Sequence, residues 1–124
     1  MTISDEEISR LQALSEDNLR VEIGRAILKD RGGLQARPPS IQKLIAEANA
    51  WITEKNGELQ DAICSSERVR AVAGSSAGAR EKLVRVVADV VTAIVVFVPV
   101  GTVAEILVRD GIPEYCKSRW NQRP

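Results

Sequence analysis

Apolar residues recur at helical spacing along the first two-thirds of the chain, broken by short polar clusters that read as helix starts and stops. Ile8, Leu11 and Leu14 form one stripe behind Ser4-Asp5-Glu6-Glu7. That tetrapeptide has capping-box form, with the serine hydroxyl placed to accept from the Glu7 amide. Ser15-Glu16-Asp17-Asn18 looks like a second start, and Leu19, Ile23, Ala26 and Ile27 keep the period until Gly32-Gly33 stops it. The pattern leaves open whether this is one bent helix or two. Arg37-Pro38-Pro39 forces an extended connection. Ser40 then caps the cleanest amphipathic run, Ile41, Leu44, Ile45, Ala48 and Ile52, with Gln42, Lys43, Glu47 and Glu54 on the opposite face. Asn56-Gly57 is expected to end or kink this helix, and Leu59, Ala62, Ile63, Val69 and Val72 carry further turns. The small-residue run Ala73 to Ala79 reads as a linker between an N-terminal helical part, 1–72, and an apolar segment, 80–110, with a basic tail at 111–124.

The pattern changes after Lys82. Between Val86 and Val108 the only charges are Asp89 and Glu105, and ten residues are valine. As one helix the stretch would cross a hydrocarbon core of about 30 Å. The cations Arg80, Lys82 and Arg85 precede it and Arg109, Lys117 and Arg119 follow, so flanking charge sets no orientation. Against insertion, Lys82, Arg85, Asp89 and Thr92 repeat every three or four positions, a narrow polar stripe that a lipid-facing helix has no reason to keep. Glu81 to Arg85 and Arg85 to Asp89 are candidate i,i+4 pairs. Val98-Pro99-Val100-Gly101 interrupts, and Thr102-Val103-Ala104-Glu105 has the form of another capping box. A long buried helix of about 18 residues followed by a short capped one therefore accounts for every polar residue here. This is the favoured reading, and membrane insertion of 86–108 is its alternative.

Composition narrows the functions. The 124 residues make about one ordinary domain, and 44% hydrophobic with 27% charged residues suffices for a core. Seventeen basic residues balance seventeen acidic ones, so no net field draws nucleic acid. With no histidine, the commonest general base and zinc ligand are both absent. Trp51, Phe97, Tyr115 and Trp120 are too scattered to stack single-stranded bases. Cys64 and Cys116 lie far apart without a CxxC motif, and two free thiols in a reducing, cytoplasmic setting is the expectation. The acidic start Met1 to Glu7 has no secretory character.

Candidate chemistry is thin. Gly74-Ser75-Ser76-Ala77-Gly78 departs from a nucleophile elbow and is no Walker loop. Ser75, Ser76, Arg80 and Lys82 hold the ingredients of an anion contact, although a plain linker explains them as well. Arg68, Arg70, Arg80, Lys82 and Arg85 make 68–85 locally basic, while the first thirty residues are net acidic. No catalytic, cofactor or metal site is expected, and no small-molecule substrate.

The expected fold is all-α, five or six helices, with a long and very apolar C-terminal helix followed by a short capped one. Such a helix is more apolar than a small monomer needs, so its surplus should cover a partner. The expected function is a non-enzymatic adaptor or subunit that self-associates or docks on a protein. Its surface would comprise Val87, Val91, Ile94, Val95, Val98, Ile106 and Leu107. The alternative is a small effector, associated with an inner membrane, whose 86–108 segment inserts and oligomerises.

Overall fold

Serine side chains start the first four helices. A computed structural model describes residues 3–32, 39–74 and 79–121. Ser4 caps α1 (Asp5–Ala13), Ser15 caps α2 (Glu16–Asp30), Ser40 caps α3 (Ile41–Cys64) and Ser66 caps α4 (Glu67–Ala73). In each case the hydroxyl accepts from the amide three residues on, at 3.1 to 3.3 Å. Each bond satisfies one of the amides that a helix start leaves without an intrahelical partner. The first thirty residues are therefore two helices, and Gly32, with φ +74°, turns the chain out of α2. The remaining helices are α5 (Ala79–Val91), α6 (Val100–Asp110), α7 (Ile112–Tyr115) and α8 (Lys117–Trp120). The described chain is all-helical, with eight helices instead of five or six.

Three expectations are corrected. Asn56-Gly57 does not end α3, which runs unbroken to Cys64 because Leu59 and Ile63 behind it are fully buried and hold the helix by packing. The long apolar helix does not exist, since α5 stops at Val91. There the Thr92 hydroxyl turns back to the Ala88 carbonyl at 2.7 Å. The Ile94 and Val95 amides both close on the Val91 carbonyl at 2.9 Å, tightening the last turn. Seven residues of irregular chain follow before Pro99, which as N-cap of α6 supplies a fixed φ and no side-chain bond. Finally, Thr102 and Glu105 are not a capping box. They sit inside α6, fully buried.

The short helix turns out to be the centre. All side chains from Thr102 to Val108 are buried, and α6 packs against α1, α2, α5 and α7. The largest helix pairing is α2 on α3, which cross so closely that Gly24 lies against the Leu44 backbone. One apolar core runs from Leu11 and Leu19 through Ile63 and Val69 to Val84, Leu107 and Ile112. Cys64, at the end of α3, and Cys116, between α7 and α8, are joined in a disulfide with Cα atoms 5.4 Å apart. This overturns the expectation of free thiols. Fifty-two positions of sequence separation say nothing about distance once α7 folds back beside α3.

Candidate interaction surface

Of the seven apolar residues expected to face a partner, six lie inside this chain's own core. Val87 and Val91 are fully covered and Val95, Val98, Ile106 and Leu107 are at most 5% exposed; only Ile94 is partly open. The surplus apolar area of 86–108 is thus absorbed mostly by the N-terminal helices. Among the described residues no helix is long and apolar enough to cross a membrane, the stretch being divided between α5, a loop and α6.

What stays outside is the loop itself. Val96 is 82% exposed and Phe97 44%, whereas Val95 and Val98 on either side are buried. The loop borders an open cleft of about 700 Å³ lined by Ala26, Lys29 and Asp30 at the end of α2 and by Val96 to Pro99. Lys29 and Asp30 are exposed, and neither pairs with another charge among the described residues. Periodicity missed Val96 and Phe97 by extending a helix through them. The signal that could have found them was Pro99 closing a β-branched run.

The charged groups near the core serve architecture. Glu105 Oε2 accepts from Arg109 Nε at 2.6 Å and Arg80 Nη2 at 2.7 Å. Arg109 also reaches the Leu11 and Gln12 carbonyls, at 2.9 and 3.3 Å, and so closes the C-terminus of α1. Buried Thr102 donates to Glu22 Oε1 at 3.1 Å, and Glu22 holds Arg10. Arg10 in turn grips Glu7, and its hydrogen bond holds the Glu7 carboxyl below its ordinary range. Tyr115 donates to Asn56 Oδ1 at 3.2 Å, and burial pushes its phenol above the ordinary value.

Of the anion-contact residues, Ser75 and Ser76 lie outside the described residues. Arg80 is spent on Glu105, and Lys82 lines a separate groove between α4 and α5. Arg85 does not pair with Glu81 or Asp89. It donates to the Ile3 carbonyl at 2.6 Å and to Asp5, while Asp89 faces Arg68 at 3.8 Å.

Comparison with protein-family models, curated proteins and solved structures finds no match. Among the described residues no cluster of three or more Cys, Asp or Glu could hold a metal ion. The two sulfurs are bonded to each other and offer no thiolate. Chemically, the exposed features are an apolar loop beside an opposite-charge pair, and a groove with cationic walls.

Proposed function

We propose that the chain is a non-enzymatic helical interaction protein that self-associates through the α5–α6 loop. The observation that carries this reading is the exposure of Val96 and Phe97 side by side; among the described residues the other exposed large apolar side chain, Ile41 at the start of α3, stands apart in sequence from them. Aromatic side chains, Phe among them, are enriched at protein contacts relative to the rest of the surface. The cleft beside it argues for a second copy as occupant. A two-fold contact sets a patch against itself, so a patch must be self-complementary. Adjacent Lys29 and Asp30 meet that condition, each able to face the opposite charge on the other copy.

Membrane insertion of 86–108 is the weaker reading, because it would draw Val87, Val91, Val95, Val98, Ile106 and Leu107 out of the core. The disulfide favours an oxidising compartment over the cytoplasm, where thiol pools keep most such pairs reduced.

Sedimentation velocity across a concentration series tests the association. The native chain should dimerise, and Phe97→Ser should sediment as a folded monomer. Lys29→Glu and Asp30→Lys should each weaken the dimer, and mixing the two variants should restore a heterodimer. A native chain that stays monomeric overturns the proposal. So does vesicle binding that depends on Phe97 without any dimer, which would hand the loop to a lipid surface.

A further inference from the structure

A second surface lies between α4 and α5. Arg68, Ala71 and Val72 of α4 and Lys82, Arg85, Val86 and Asp89 of α5 enclose an open groove of about 430 Å³. That volume holds a few side chains, at the lower end of ordinary binding clefts. Its apolar lining is aliphatic: exposed Ala71, half-buried Val72 and buried Val86. Three cations stand around it against one carboxylate, in a chain whose total charge is zero.

The cations are not equally free. Arg85 is held by the Ile3 carbonyl and Asp5, so it serves as a fixed wall. Arg68 has only a loose approach to Asp89, at 3.8 Å, with its side chain 68% exposed. Lys82 is exposed and pairs with no carboxylate among the described residues. Lys82 is thus the cation without a carboxylate partner among the described residues, and Arg68, held only loosely by Asp89, stands with it beside an aliphatic lining in an open groove.

We propose that the α4–α5 groove docks a short acidic segment of a partner protein, an aliphatic side chain entering over Val72 and Val86 while neighbouring carboxylates meet Lys82 and Arg68. An open groove lined by two helices and carrying apolar and cationic groups together suits a peptide segment with both kinds of side chain. A lone inorganic anion would leave the aliphatic lining uncovered. The cationic rim would set the choice of an acidic over a basic segment and make the contact salt-sensitive. This proposal does not depend on self-association.

The test is fluorescence anisotropy with three labelled helical peptides. One carries Glu and Leu on the same face, one has each Leu replaced by Ser, and one has each Glu replaced by Lys. The Glu/Leu peptide should bind at least tenfold tighter than either control, and less tightly as salt rises. Lys82→Glu should weaken it at least tenfold by reversing charge. Ala71→Leu should do the same by filling the groove with no change of charge. Both positions are exposed, so both variants should keep the native helical signal. Repeating the titration on Phe97→Ser separates this outcome from that of dimerisation. Equal binding of all three peptides, or unchanged binding by both variants, overturns the proposal. So does phosphatidylglycerol vesicle binding that Lys82→Glu abolishes while the peptide fails to bind.

Discussion

Replacing both cysteines, Cys64→Ser with Cys116→Ser, should lower stability by about 4 kcal/mol. The figure follows from the 52-position separation of the pair. Closing a loop of that size removes about 14 cal/mol/K from the unfolded chain in the loop-entropy treatment, which at 25 °C comes to about 4 kcal/mol. For a domain of this length each kcal/mol moves Tm by about 3–5 °C, so the variant should melt roughly 12–20 °C below the oxidised protein. The native state should change little, because the same junction is held in other ways. Trp120 Nε1 donates to the Cys64 carbonyl at 2.9 Å and Gln60 Nε2 to the Tyr115 carbonyl at 2.8 Å. Arg119 pairs with Asp61, and Arg70 lies 5.2 Å from the Trp120 ring centroid. The assay is thermal unfolding by circular dichroism for the oxidised protein and the double variant, with the near-ultraviolet tryptophan signal recorded at low temperature. Equal melting temperatures would refute the cross-link as a stabiliser. Two titratable thiols in the denatured, unreduced protein would refute the bond itself.

Two further perturbations bear on the packing and the buried charge. Gly24→Ala should destabilise by about 3 kcal/mol in chemical denaturation, since a Cβ there runs into the Leu44 carbonyl and lies 2.6 Å from its carbon, backbone that cannot step aside. Gly57→Ala, in the same assay, should stabilise by about 0.5–1 kcal/mol, because it sits inside α3 with nothing within 4 Å. Arg109→Met should cost about 3–5 kcal/mol and Arg80→Met clearly less. Arg109 is largely buried between Glu105 and two carbonyls of α1, whereas the Arg80 side chain is 50% exposed. Equal costs for the two would show that the Glu105 carboxylate is not held from the α1 side.

The helix starts were legible because their chemistry is local. Ser4, Ser15 and Ser40 each stand three residues before the amide they cap, so the pattern contains both partners. The stripe Ile41, Leu44, Ile45, Ala48 and Ile52 is likewise contained within α3, although only Leu44 and Ala48 are buried, Ile45 and Ile52 being half-buried and Ile41 exposed. What failed was either a competition between local signals or a contact between segments far apart in sequence. The end of α5 depends on a competition between a β-branched run and its own backbone, decided by the Thr92 hydroxyl and by Pro99 beyond it. The disulfide depends on α7 returning to the end of α3, and the partners of Glu105 come from a helix 25 residues earlier and from its own next turn. Thr102 and Glu105 have the right spacing for a capping box and serve otherwise, because Pro99 starts the helix one turn sooner.

The same facts bear on why the α5–α6 loop is a better candidate surface than the helix faces it joins. The valines were read as surplus, yet Val84, Val87, Val91 and Val103 are the core that α1 to α4 close over. An apolar side chain is informative as a contact residue only where the fold declines to bury it. Val96 and Phe97 meet that condition between two buried neighbours, Val95 and Val98, which tether the loop on both sides. At one end the Val91 carbonyl takes two loop amides, and at the other Pro99 fixes the entry to α6. A loop anchored at both ends loses less freedom on association than one held at neither, and ordering costs are a large part of what separates a sticky patch from a binding one. The anchored ends of this short connection therefore support the proposal that Val96 and Phe97 form a specific contact.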